Sequence, residues 1–180
     1  LKEAAELANE KIFEFASQRE NYHGMGTTVV AAVADERTVV IGHVGDSRVY
    51  QINVDGVEQL TEDHTVVARA LREGSLTPEE AQRENRNTLY QAVGRSARIR
   101  VETRVRALKE GEIVLLCSDG LTDMVRDEEI REIVLAADSP SQAAANLIER
   151  ANGNGGEDNI TVIVVEVVDP SSPEISYCGG

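Results

Sequence analysis

Apolar residues recur at helical spacing through Leu1, Ala4, Ala5, Ala8, Ile12, Phe15 and Ala16, which predicts an amphipathic helix that Asn21–Gly24 stops. The pattern then changes to runs rich in β-branched residues at Thr27–Ala34, Val39–Val44, Val49–Val54 and a short Val57–Leu60. Asp35-Glu36-Arg37 and Asp55-Gly56 are turn signals between them, so these runs predict an antiparallel meander. Thr65–Gly94 is polar and helical in character. Val66, Val67, Ala70 and Leu71 form one short amphipathic set, and Thr77-Pro78-Glu79-Glu80 combines an N-cap, a first-turn proline and a capping-box glutamate. Few large apolar residues lie within Leu76–Asn87, so this part reads as a mobile insertion over one end of the sheet. Strand pattern returns at Ile99–Val105 and Glu112–Cys117. Asp127 is expected to cap a helix over Glu128–Ala137, and Ser139-Pro140 to start another that runs to Ala151. A glycine-rich loop, Asn152–Gly156, leads to a last strand within Ile160–Val168, and 169–180 reads as a tail. Segregated strands and helices predict an α+β fold, one domain over 1–168.

Composition narrows the class. Of 180 residues 41% are hydrophobic and 28% charged, as in a globular protein. The 18 basic and 32 acidic residues give a net charge of −14, which disfavours nucleic acid and anionic membranes as partners. No stretch has the length and apolarity of a membrane span. Cys117 lies in an apolar run and Cys178 in the tail, so both read as free thiols of a reducing compartment, and a cytoplasmic protein is expected.

Three acidic clusters sit at the ends of apolar strand-like runs: Gly45-Asp46-Ser47-Arg48, Ser118-Asp119-Gly120 and Glu157-Asp158-Asn159. Carboxylates delivered by strand ends to a common cleft suit a hard divalent cation, because Mg²⁺ and Mn²⁺ prefer oxygen ligands. Each cluster alone has an ordinary alternative. Ser-Asp-Gly and Asp-Asn are common in turns, and Asp46 could pair locally with Arg48. His23, His43 and His64 are too scattered to suggest zinc. His43 is expected to pack in the core and His64 to cap or pack.

In order along the chain, Gly24-Met25-Gly26-Thr27-Thr28, Gly45-Asp46-Ser47-Arg48, Asp63-His64, Ser118-Asp119-Gly120-Leu121 and Gly156-Glu157-Asp158-Asn159-Ile160-Thr161 resemble the metal-dependent type-2C protein phosphatases, in their compact bacterial branch. The resemblance implies two antiparallel sheets packed face to face and flanked by helices. It implies Mg²⁺ or Mn²⁺ as cofactor and hydrolysis of phosphoserine or phosphothreonine in proteins by a metal-activated water. Asp119 and Asp158 would bind a first metal, and Asp46 with Asp119 a further, weaker one. Ser118 and Thr88 would be auxiliary, Gly120 would lie beside Asp119, and Asn159 would orient the Asp158 loop. Residues 65–95 would form a flap over the channel, and the partners would be substrates of a serine/threonine kinase.

One departure accompanies the resemblance. The family pattern opens with a phosphate-binding Arg and an Asp-Gly-Met-Gly-Gly segment whose Asp bridges two metals, and neither is found here; Met25 belongs to the later Gly-Met-Gly-Thr-Thr motif. Strand edges and apolar surface are therefore expected to lie uncovered, with dimerisation as one consequence. Two other readings share the core motifs. One is a pseudophosphatase that binds phosphoprotein or a single cation through Asp46, Asp119 and Asp158. The other is a regulatory phosphatase of the sporulation type acting on an anti-anti-sigma-like partner, from which the 65–95 insertion separates this chain.

Overall fold

The computed structural model describes residues 1–35, 37–81, 83–84 and 87–168. The chain runs α1 (Lys2–Ser17), β1 (Val29–Ala34), β2 (Thr38–Val44), β3 (Arg48–Asn53), β4 (Gly56–Gln59), α2 (Val66–Arg72) and α3 (Pro78–Ala81). It continues through β5 (Glu102–Ala107), β6 (Ile113–Cys117), α4 (Asp119–Thr122), α5 (Asp127–Ala136), α6 (Pro140–Gly153) and β7 (Val162–Glu166). The strands form two antiparallel sheets, ordered β1-β2-β5 and β4-β3-β6-β7. The α+β architecture expected from sequence is therefore present. The four early runs are not one meander, however: β1 and β2 pair in one sheet, β3 and β4 in the other. Gly45-Asp46-Ser47 looks like a hairpin turn but carries the chain between sheets.

Side-chain alternation explains the layering. On β6, Val114 and Leu116, together with Val49 of the neighbouring β3, face the other sheet, where they meet Val39 and Ile41 of β2. Leu115 and Cys117 point the opposite way and, with Tyr50 and Ile52 of β3, pack against Leu121, Val125, Ile130, Val134 and Leu147 of the helical layer. Both faces of β6 are thus covered, which is why Ile113–Cys117 is apolar at every position. Burial pushes the Cys117 thiol up to about 12, so it behaves as a small core residue. Cys178 and the expected tail from 169 lie outside the described residues.

Helix α1 lays Ala5 and Ile12 on a smaller cluster of Val44, Val93 and Val101. A buried polar residue, Asn9, ties that helix down: its amide donates to the Ser96 carbonyl (3.0 Å) and accepts from the Gly94 N–H (2.8 Å). The helix starts were legible in part. Ser139 caps α6 through the Gln142 N–H, and Thr77 and Glu80 form the reciprocal capping box, although α3 is only four residues long. Asp127 is not the cap expected of it. It is the first residue of α5, and its carboxylate accepts the Tyr50 hydroxyl at 2.9 Å, a bond that ties the helix to β3. Apolar surface is uncovered at Val33 and Val105 of the three-stranded sheet and at Ile163 and Val165 of the β7 edge.

His43 on β2 is 2% exposed, and neither ring nitrogen has a hydrogen-bond partner. Its ring stacks obliquely on His64, centroids 4.6 Å apart. Burial first, and then the proximity of His64, lower its pKa to about 4. The folded chain therefore resists a proton that the unfolded chain accepts below the ordinary value of 6.5. Stability that is fully present above pH 6.5 should fall as pH drops toward 4, by about 3 kcal/mol from this group. Denaturant midpoints measured across that window should flatten in His43→Leu; an unchanged slope would contradict the assignment. In hydrogen exchange, the amides of Glu79–Ala81, on a four-residue helix, should exchange much faster than those of Val114–Cys117. Equal protection would show that the 65–95 segment is as firmly packed as the sheet.

Candidate functional site

Strand β6 ends at Cys117, and the chain turns at once into α4, so Asp119 is held at the rim of the four-stranded sheet. The neighbouring strand β7 brings the 157–161 loop to the same rim. Ser118 joins them: its hydroxyl donates to the Asn159 carbonyl (3.0 Å) and accepts the Thr161 N–H (3.0 Å), while its own N–H donates to the Thr161 carbonyl (3.1 Å). Gly120 lets the loops close, since a Cβ there would lie 2.5 Å from the Asn159 carbonyl oxygen. Ser118, Gly120 and Asn159 therefore set the spacing between Asp119 and Asp158. Asp158 itself is exposed, and its carboxylate accepts the Asn159 N–H at 2.6 Å.

Asp46 arrives from the crossing between the sheets. Gly45 has φ +115°, and a Cβ there would lie 2.5 Å from the Thr28 methyl, so the turn requires glycine. Asp46 is 8% exposed. Burial first, and the charge of Asp119 second, raise its pKa to about 6. Asp119 is raised as well, by burial foremost and by Asp123 and Asp158, against the pull of the Gly120 N–H. The three sequence-singled carboxylates thus act on one another in two pairs, Asp46 with Asp119 and Asp119 with Asp158. Asp119 is common to both.

A cleft of about 730 Å³ opens beside Asp46 and Asp119. Its carboxylate lining is Asp46, Asp63, Asp119, Asp123, Asp127, Glu128 and Glu157, and its basic lining is Arg48 and Arg126. Arg48 is committed. It does not pair with Asp46; its guanidinium donates to Asp63 through Nε (2.9 Å) and Nη2 (2.6 Å) and to the Tyr50 hydroxyl through Nη1 (3.0 Å). Burial works against that charge, but Asp63 outweighs it and keeps the guanidinium protonated. Acidic oxygen donors with elevated pKa values, beside a cation already spent on Asp63, fit a hard divalent ion.

Thr88 does not line this cleft. Its carbonyl accepts the Val66 N–H at 2.9 Å, and its neighbour Asn87 lines the cleft instead and donates to Asp123 (3.1 Å). Asp123 was not singled out from sequence, although its place one helical turn after Asp119 is a usable signal; its N–H donates to the Asp119 carbonyl at 2.8 Å. Two histidines that look scattered in sequence meet in space. Among the described residues, His43, His64 and Glu102 form a group whose ligand atoms all lie within 4.8 Å of one another, and His23 is not in it.

Known proteins resemble this chain in sequence and in fold. The chain is 42% identical over 167 residues to a serine/threonine phosphatase, stp, of Listeria innocua serovar 6a, covering 92% of this chain and 66% of the relative. It is 38% identical over 163 residues to the protein phosphatase PhpP of Streptococcus pneumoniae, covering 90% and 66%. The chain thus spans about two thirds of the length of these curated relatives. The crystal structure of serine/threonine phosphatase Stp1 from Staphylococcus aureus superposes with a TM-score of 0.87 at 33% identity, covering 93% of this chain and 66% of that one. The catalytic domain of the protein phosphatase PstP, solved with two manganese ions, gives 0.82 at 34% identity, covering 93% and 70%. A model of the protein phosphatase 2C family matches residues 2–156, and with these similarities the chain belongs to that family.

Proposed function

We propose that this chain carries the greater part of a metal-dependent phosphatase site that hydrolyses phosphoserine or phosphothreonine in proteins. The observation that carries the reading is that Asp46 and Asp119 line one acidic cleft, with the Asp158 loop hydrogen-bonded beside Asp119 and its neighbour Glu157 in the cleft wall. The similarity to named serine/threonine phosphatases supports the reaction class. The relative solved with two manganese ions supports Mn²⁺ or Mg²⁺ as the cofactor.

In this reading Asp119 and Asp158 would hold one cation, and Asp46 and Asp119 would hold another. When bound there, such cations supply positive charge to a phosphoryl group and acidify water. The chain's own residues do the positioning. Ser118 and Gly120 fix the Asp119–Asp158 spacing, and Asn159 closes that loop. Asp63 keeps Arg48 away from Asp46, so the Asp46 carboxylate stays available. Arg126, exposed at the cleft and in no ion pair among the described residues, is placed to meet an anionic group of the substrate. The phosphoproteins would be substrates of a serine/threonine kinase, in the cytoplasm; among the described residues no helix is long and apolar enough to cross a membrane.

Asp119→Asn should weaken Mn²⁺ binding, measured by calorimetry, by at least about tenfold, or about 1.4 kcal/mol. It should also abolish Mn²⁺-dependent hydrolysis of a phosphothreonine peptide. Wild-type Mn²⁺ affinity in Asp119→Asn, or turnover indifferent to a chelator, would contradict the reading.

A further inference from the structure

The Gly45–Arg48 turn is gripped at both ends by two consecutive residues, Asp63 and His64. Asp63 takes the far end through its paired bonds to Arg48, and the Gln59 amide in turn holds Asp63 at 2.9 Å. His64 takes the near end twice. Its backbone N–H donates to the Gly45 carbonyl at 2.8 Å, and its Nδ1 accepts the Gly45 N–H at 3.1 Å. Both polar groups of one glycine are therefore satisfied by one residue, in a place where Gly45 is buried and His64 is 1% exposed.

That second bond fixes the tautomer. Because Nδ1 accepts the Gly45 N–H, the lone pair of the neutral ring lies there and the proton lies on Nε2, which faces Glu102 Oε1 at 3.6 Å. Burial keeps the ring neutral. The Gln91 amide, held by the Arg100 backbone through donation to its carbonyl (2.8 Å) and acceptance of its N–H (2.9 Å), has a second N–H for the same Nδ1, 3.0 Å away, and so reinforces its role as acceptor. The nearby group of His43, His64 and Glu102 has the residue types and the closeness of a metal site, but His64 is engaged. The lone pair His64 would have to offer a cation is already given to Gly45.

We propose that His64 is a positioning residue for Asp46: by holding both sides of Gly45 it sets where the next residue's carboxylate stands relative to Asp119. This rests on the reading of Asp46 and Asp119 as ligands of one divalent cation. Asp46 emerges from a crossing between sheets, not from a regular strand, and no ladder hydrogen bond of either sheet fixes Gly45. The acceptor on His64 takes the place of that ladder. Partners that orient a metal ligand in this way typically govern affinity by about 10–100-fold.

The test is Mn²⁺ binding to the full 180-residue chain, followed by electron paramagnetic resonance of free Mn²⁺, in wild type, His64→Phe, His64→Asn and Asp46→Asn. His64→Phe keeps a ring and loses the acceptor. His64→Asn keeps an acceptor oxygen near the position of Nδ1. The weaker Mn²⁺ equilibrium should fall about tenfold in His64→Phe and recover in His64→Asn, with the tighter one unchanged in both. Wild-type binding in a folded His64→Phe, or equal loss in both His64 variants, would overturn the positioning role while leaving the ligand assignment intact. Unchanged binding in Asp46→Asn would overturn the ligand assignment and the positioning role with it. Independently of whether any variant folds, the wild-type chain should show a nitrogen–nitrogen scalar coupling across the hydrogen bond from Gly45 N to His64 Nδ1. Its absence would also overturn the proposal.

Discussion

Asp119 stands where three negative charges are brought toward one another in a partly dry cleft, and the surrounding structure can be understood as the means of holding them there. Left to themselves, Asp46 and Asp119 would separate, because burial and the neighbouring carboxylates both disfavour their ionised forms. Backbone constraint opposes that separation. The Ser118 hydroxyl bridges the strand ends of β6 and β7, Gly120 leaves room for the Asn159 carbonyl where a Cβ would clash, and His64 clamps the crossing that presents Asp46. The chain thus spends its hydrogen bonds on backbone around the carboxylates and leaves oxygen atoms available to a cation, which is the arrangement a hard-metal site requires.

The two layers of core explain why those loops can be held so firmly. β3 and β6 are central strands with apolar cover on both faces, from the second sheet on one side and from α4, α5 and α6 on the other. Their ends at Arg48 and Cys117 are registered directly opposite each other. Asp46 and Asp119 lie two residues beyond those paired positions, so the strand register brings them to one rim. By contrast, β1, β4, β5 and β7 are edge strands, and the exposed Val33, Val105, Ile163 and Val165 mark where the sandwich is open.

Much of this was legible along the chain, and what was not has a common cause. The β-branched alternation located every strand, and capping residues located the starts of α3 and α6, because those signals are local. The division of the early strands between two sheets was hidden, since Gly45-Asp46-Ser47 has the composition of a hairpin turn whichever sheet follows. Pairings across a distance were hidden too. Arg48 has an acidic residue two positions before it, yet its partner is Asp63, fifteen residues on, because the turn points Asp46 into the cleft and β3 points Arg48 toward the Asp63 loop. The three carboxylates drew notice because each follows or precedes an apolar run. Asp123 drew no notice because it lies in a helical turn and has no such flank, and Thr88 lies outside the cleft lining, where its carbonyl accepts the Val66 N–H.

The most direct test of the shared-carboxylate arrangement is anomalous diffraction at the manganese edge from crystals of the chain grown with Mn²⁺. Two peaks flanking Asp119, one toward Asp158 and the other toward Asp46, are the result the account predicts. Manganese bound elsewhere, for instance at His43, His64 and Glu102, with Asp119 contacting none of it, would contradict the account.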